Sequence, residues 1–411
     1  MRAAGHEPAA AARADLVIVN TCGFIDAAKE ESLAAVFEAA EAAHGRGAQV
    51  AAVGCLVERY RSELAAELPE ADLLCGFETA PLVRRLGEIG AGRGLAMPAP
   101  TFDSPDKAAG RGSRRRPRPV HAYIKISDGC DRRCSYCAIP LIKGRYEAVP
   151  PAQILAAAGA ALARGARELV LVGQDTSRYI WPAYGGLRHL LTNLQDLEPA
   201  WIRMLYLQPD GITDELLQVL AEHTVPYVDI PLQHAAASVL ADMNRRGSGE
   251  QYLDLLARVR TALPGVAVRS TFITGFPGET EADVAELIEF IHAARLAVAG
   301  VFAYDPQEGT AAAGMSNQLP LALREERAAR VLAAVGEAAR PFWDDLVGQS
   351  VEVLVESVRR NDTSEATGRL AAQAPDVDGL TIVRDARVRR GQLVRAKIEA
   401  VVGYDVFAVA E

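Results

Sequence analysis

Short apolar runs alternate with amphipathic stretches along most of this chain. Asp15–Asn20 carries four consecutive apolar residues between polar ends and predicts a buried strand. The Ala- and Glu-rich stretch Ala27–His44 predicts a helix, because both residue types favour one. Gln49–Val53 and Ala71–Leu74 predict two more strands, so residues 1–94 read as a small parallel α/β domain. Between residues 95 and 119 Gly, Pro and Arg accumulate, and Arg114–Arg118 is a basic run, which marks a linker.

From 120 to 345 the strand–helix alternation becomes regular. Ala122–Ile126, Glu168–Val172, Trp201–Leu207, Pro226–Ile230, Val266–Ile273 and Val298–Tyr304 predict six strands, with helical patterns such as Ala152–Arg164, Gln251–Leu263 and Ala282–Ala294 between them. Six such units predict an open, partial (β/α)6 barrel, which places its chemistry at the C-terminal strand ends. Residues 346–411 change character. Val351–Val358, Gly379–Val383 and Leu393–Ile398 are short strands between turn residues, and a five-stranded antiparallel mini-barrel fits them. The fold class is therefore α/β, flanked by a C-terminal β-barrel.

Composition narrows the function classes. No apolar run reaches the ~18–20 residues of a membrane span. His6, Glu7 and Pro8 fall where a secretory signal needs its apolar core. The six cysteines, none after Cys137, are too sparse in 411 residues for a disulfide scaffold and point to a reducing cytoplasm. A net charge of −9 gives no global field for nucleic acid, and leaves only a local patch for such contact.

Cys130, Cys134 and Cys137 carry the most specific chemistry, spaced C-x3-C-x2-C. Three thiolates hold three irons of a 4Fe–4S cubane and leave the fourth open to a chelating ligand. A structural zinc site instead wants four ligands in paired spacing. No fourth Cys or His stands nearby at such spacing, and the closest, His121, lies on a predicted strand.

That spacing, with Tyr136 before the last cysteine, resembles the radical S-adenosylmethionine (SAM) signature. Asn20–Ser32, Gly54–Leu56, Val172–Ser177, Asp229–Ala235, Met243-x-Arg245, Arg269–Ile273 and Gly275–Thr280 extend the likeness over almost the whole chain. Together they resemble the methylthiotransferases, most closely the RimO type, which modifies ribosomal protein S-twelve. The resemblance implies an N-terminal cluster domain, a radical SAM core and a C-terminal TRAM domain. It implies replacement of a C–H bond by C–S–CH3 at the β-carbon of an aspartate of S-twelve, with a reducing electron donor and a sulfur donor as further partners. The sister enzymes, which modify a tRNA adenosine, share this architecture. Gly23–Asp26, Gln174–Ser177 and Pro231–His234 favour the ribosomal substrate. So does a C-terminal segment with nine Lys/Arg against ten Asp/Glu, a poor phosphate tracker.

The resemblance also implies roles. Cys130, Cys134 and Cys137 hold the SAM cluster, and Tyr136 packs near the adenine or is ordinary core. Gly173, Gln174 and Asp175 occupy the place that binds the SAM amino group. Gln233 and His234 face the same cavity. Arg269 pairs with the SAM carboxylate or forms a buried structural ion pair, and the turn beginning at Gly275 lets backbone approach the ligand. Cys22 and Cys55 resemble two ligands of a second, auxiliary 4Fe–4S cluster that carries the sulfur. The family's third ligand precedes them in a Gly-Cys turn that this chain lacks. The expectation is a shortened N-terminus and a compromised auxiliary site, with Cys75 as the only substitute, or a cluster-binding protein without transfer activity.

Overall fold

The computed structural model describes residues 9–78, 80–89, 95–96, 119–360, 364–385 and 387–411. They fall into two compact units. The first combines the N-terminal segment up to Arg116 with Tyr136–Gly144 and Asp305–Ala313; the second holds the remainder.

In the first unit the elements run β1 (Leu16–Thr21), α1 (Asp26–His44), β2 (Gln49–Gly54), α2 (Cys55–Arg59), α3 (Arg61–Glu67), β3 (Leu73–Cys75), α4 (Ala80–Ile89) and β4 (Leu95–Ala96). The sheet order is β3-β2-β1-β4, parallel throughout. Val17, Val19, Val50 and Ala52 bury one face against Val36, Ala40 and Ala43 of α1. Leu16, Ile18 and Ala51 bury the other against Leu82 and Leu86 of α4. Alternate residues of one strand thus serve two cores, as a sheet covered on both faces requires. Leu95–Ala96, expected in the linker, instead pairs with β1. Residues 97–118 of that expected linker lie outside the described residues.

The next elements are β5 (His121–Lys125), β6 (Ser127–Asp128), α5 (Ile139–Lys143, in the first unit), β7 (Glu147–Ala148), α6 (Pro151–Ala163) and β8 (Glu168–Val172). A small hairpin follows, β9 (Ile180–Trp181) and β10 (Gly185–Gly186), then α7 (Leu187–Gln195), β11 (Trp201–Met204), α8 (Asp214–His223) and β12 (Tyr227–Asp229). The core ends with α9 (Ala237–Asp242), α10 (Gly249–Ala262), β13 (Ala267–Thr274), α11 (Glu281–Ala294), β14 (Val298–Ala303) and α12 (Leu321–Asp344).

Two parallel sheets, β11-β8-β5 and β12-β13-β14, make up the core. They are joined where Val225 N–H donates to Ile202 O (2.9 Å) and Leu207 N–H donates to Asp229 O (2.8 Å). The result is a six-stranded arc in chain order, the expected partial barrel. Strand β11 ends earlier than the apolar run suggests, because the chain turns at Tyr206, whose φ is +61°. The run's apolar residues Leu205 and Leu207 are buried from the loop instead.

The C-terminal strands β15 (Ser350–Arg360), β16 (Ser364–Leu370), β17 (Thr381–Arg384), β18 (Leu393–Val402) and β19 (Asp405–Ala410) close a barrel in the order β15-β16-β17-β19-β18. Four contacts are antiparallel, but β17 and β19 are parallel. This corrects the wholly antiparallel expectation: directions cannot alternate all the way round a ring with an odd number of strands. The barrel core is continuous with Trp201, Tyr227, Ala267 and Val298, the first residues of β11 to β14. The barrel therefore caps the N-terminal strand ends and leaves the C-terminal ends free for chemistry.

Candidate active site and metal-binding cysteines

The cysteine loop leaves β5 at its C-terminal end. Strands β6 and β7 pair antiparallel across the loop's base. Tyr146 N–H donates to Asp131 (3.2 Å) and Arg132 N–H to Cys130 Sγ (3.4 Å). Ser135 docks on the end of α9: its N–H donates to Met243 O (3.0 Å) and its hydroxyl to Asp242 O (2.7 Å). Asn244 Nδ2 donates to Arg133 O (2.7 Å). Cys130, Cys134 and Cys137 are all half-buried. Burial pushes the Cys130 thiol up. Among the described residues no three His, Cys, Asp or Glu side chains converge as they would on a single metal ion. A cubane does not need that, because each thiolate binds its own iron.

An arginine-rich cavity of about 360 Å³ opens beside Cys134. Arg132 donates through Nε to Asp175 (2.9 Å) and through Nη1 to Asp210 (2.8 Å). Burial opposes the Asp210 charge, yet hydrogen bonding to Arg132 outweighs it and holds the carboxyl low. Arg245 reaches Pro231 O (2.6 Å), Gln208 Oε1 (3.4 Å) and Cys134 Sγ (3.7 Å).

The strand ends line up as follows. A Cβ on Gly173, directly after β8, would stand 2.2 Å from Ser127 Oγ, so the Ser127 side chain would have to move. Gln174 Oε1 and Gln233 Oε1, past the ends of β8 and β12, and Thr274 Oγ1, at the end of β13, are buried and have no hydrogen-bond partner among the described residues. A buried orphan acceptor is costly unless a ligand or water satisfies it. Three on the C-terminal side of the core strands fit a polar cofactor such as SAM.

Three expected ligand contacts are differently engaged. Asp175 is fully buried, and its oxygens are held by Arg132 and by Ser177 Oγ (2.5 Å). His234 is also fully buried; its Nδ1 accepts from Ala236 N–H (3.0 Å) and its Nε2 lies 3.4 Å from Glu279. Glu279 in turn accepts Gly275 N–H with both oxygens (2.8 and 2.9 Å) and Arg327 Nη1 (3.0 Å). His234 thus stands behind the Gly275 turn rather than in an open cavity. Arg269 sits third in β13, toward the strand's N-terminal end, and pairs with Asp229 (3.2 Å) and Asp378 (3.3 Å). Of the two roles expected for Arg269, the geometry is that of the structural ion pair.

In the first unit, β1 and β2 pair in register from Leu16 opposite Gln49 to Thr21 opposite Gly54. Cys22 and Cys55 are the next residues of each, so they meet at one sheet edge. Two glycines allow it. A Cβ on Gly23 would lie 2.8 Å from Cys55 O, and one on Gly54 (φ +112°) would lie 2.7 Å from Thr21 O. Ser32 Oγ accepts Cys22 N–H (2.9 Å), and Arg59 Nη1 donates to Gly23 O (2.8 Å), fixing the turn. Cys22 is exposed and Cys55 half-buried. Cys75 stands opposite Val53, two residues short of that edge, fully buried among Leu16, Ile18, Leu82 and Leu86. Burial raises its thiol pKa, as it does that of Cys130, so position rather than acidity separates the two. Cys75 is a core residue.

Residues 124–291 match the Radical SAM superfamily, 347–410 the TRAM domain and 1–76 the Uncharacterized protein family UPF0004. The ribosomal protein uS12 methylthiotransferase RimO of Anaeromyxobacter sp. (strain K) is 38% identical over 402 residues, covering 96% of this chain and 85% of that protein. The protein of the same name from Desulforudis audaxviator is 41% identical over 420 residues, covering 98% and 91%. The chain belongs to the RimO family of radical SAM methylthiotransferases. A solved radical SAM methyltransferase, TsrM from Kitasatospora setae, aligns at TM-score 0.49 and 16% identity over 71% of this chain and 65% of that one, too distant to add to the assignment.

Sequence reasoning missed several residues of this RimO-family site. Gln208 and Asp210 carry no motif of their own, and only the fold joins them to Arg132 and Arg245 beside the cysteines. Arg245 lies in the Met-x-Arg motif, but its neighbour Cys134 is 111 residues away in sequence.

Proposed function

We propose that this RimO-family transferase methylthiolates the β-carbon of an aspartate in ribosomal protein uS12, with Cys130, Cys134 and Cys137 holding the SAM-binding 4Fe–4S cluster. When bound, cluster and SAM supply the radical that removes a hydrogen atom from the acceptor carbon. The chain's own residues bind and orient. Arg245, beside Cys134, is the cation placed to meet the SAM carboxylate, the role first expected of Arg269. Gln174, Gln233 and Thr274 offer acceptors to the SAM ammonium and hydroxyls. Glu279 fixes the Gly275 turn, and His234 packs behind it. Cys22 and Cys55, on one edge, belong to the sulfur-carrying auxiliary site.

The observation that carries this reading is the half-buried triple-cysteine loop beside Arg245 and three orphaned acceptors. The test is anaerobic reconstitution followed by reduction. SAM cleavage to 5′-deoxyadenosine is expected, and Cys134→Ala abolishes it. Mass spectrometry of uS12 should show a gain of about 46 Da, the replacement of H by SCH3 in a cofactor-borne reaction. Unchanged uS12 with a modified tRNA adenosine would transfer the assignment to the sister activity. Absence of SAM cleavage would leave a cluster-binding protein without transfer chemistry.

A further inference from the structure

Four guanidiniums, from Arg132, Arg133, Arg245 and Arg246, line the cavity beside Cys134, against the single carboxylate of Asp210. The chain as a whole has net charge −9, so this concentration of cations is local. The four divide into two kinds. Arg132 and Arg245 are half-buried and hold internal partners: Asp175 and Asp210 for the first, Pro231 O and Gln208 for the second. Arg133 and Arg246 are exposed, and among the described residues neither pairs with a carboxylate. Their backbones are nevertheless anchored. Arg133 O accepts Asn244 Nδ2 (2.7 Å), and Arg246 O accepts Tyr252 Oη–H (3.0 Å). Two unpaired cations are thus presented from fixed backbone at the rim of a cavity that a cluster ligand also lines.

Like charges gathered in this way repel one another, and an anionic partner recovers that energy on docking. The proposed reaction consumes an electron at the cluster. We propose that the Arg133–Arg246 rim is the docking surface for an acidic, low-potential one-electron carrier protein. The proposal rests on the radical SAM reading above. One electron leaves the carrier for the cluster held at Cys134; no bond forms at the rim and no proton moves there. A protein surface is the fitting occupant because the two free guanidiniums face solvent, whereas the inner pair is already engaged.

The test uses the full chain and a recombinant flavodoxin, reduced to its hydroquinone for turnover and oxidised for binding. Binding of the oxidised carrier, followed by titration calorimetry with and without the cluster, should weaken as salt rises and should weaken about tenfold or more in Arg133→Glu/Arg246→Glu. Flavodoxin-driven 5′-deoxyadenosine formation should fall by a similar factor, with an intermediate loss in Arg133→Gln/Arg246→Gln. Cleavage driven by dithionite, which needs no docking surface, should stay within about twofold of the parent. Equal losses with both reductants, or carrier binding unaffected by salt and by charge reversal, would overturn the docking assignment. Failure of dithionite to drive cleavage in the parent protein would instead sink the radical reading, and the docking proposal with it.

Discussion

Arg369 Nη2 lies 2.6 Å from Glu168 Oε2, and the two side chains, 201 residues apart in sequence, are almost fully buried. Glu168 begins β8 of the core, and Arg369 is near the end of β16 in the barrel. Arg203 donates to the other oxygen of Glu168 (2.7 Å) and also to Ala371 O (2.8 Å). Arg369 reaches Glu356 as well (2.9 Å). One carboxylate therefore joins core to barrel through two guanidiniums. The nearby contacts of Tyr227 and Arg269 with Asp378 add a second polar tie.

Removing one partner of a buried pair leaves the others charged and desolvated. Glu168→Gln should cost about 3–5 kcal/mol by denaturant unfolding, with the barrel and core transitions separating. The pH dependence follows from the same group. Burial opposes the Glu168 charge, but Arg203 and Arg369 prevail and hold its pKa below the usual glutamate value. A depressed folded-state pKa gives stability that is fully present above the unfolded value of about 4.3 and is lost as pH falls through the folded one. Stability should therefore decline on acidification below that point. Glu168→Gln should flatten the decline; an unchanged acid limb in the variant would contradict the assignment.

The cysteines of the first unit should separate by role. Cys22→Ser or Cys55→Ser should lower auxiliary iron uptake and methylthio transfer while SAM cleavage persists. Cys75→Ala should leave iron content and both activities intact and cost about 1 kcal/mol of stability, from a small cavity among Leu16, Ile18, Leu82 and Leu86. Loss of iron in Cys75→Ala would show that Cys75 reaches the edge after all.

Arg245 and Arg269 should likewise part company. Arg245→Met should raise the Kd for SAM about tenfold or more, the value of a charge-assisted hydrogen bond, read by equilibrium binding to reconstituted protein. Arg269→Met should leave SAM affinity nearly unchanged and lower thermal stability, since it strands Asp229 and Asp378. The reverse pattern would restore Arg269 to the ligand site.

Much of this was legible from local pattern. The six core strands, the parallel N-terminal sheet and the edge position of Cys22 and Cys55 follow from periodicity, because a strand's burial is written in its own residues. The C-x3-C-x2-C loop is local by construction. Arg269 and His234 were less legible: both lie in motifs beside the site, and only their partners, Asp378 and Glu279, decide which way each is used.

The chain's apolar rhythm and cysteine spacing determined by themselves the parallel sheets, the existence of a C-terminal barrel and the grouping of three cysteines in one loop, since these depend on neighbours a few residues apart. Only the tertiary structure decided that Arg245 stands beside Cys134, that Arg369 neutralises Glu168, and that Cys75 is buried while Cys22 is exposed. Those outcomes depend on which distant charges and surfaces the fold brings within a few ångströms. Coulomb energy and desolvation are set by that distance and by burial, and neither is encoded in the spacing of residues along the chain.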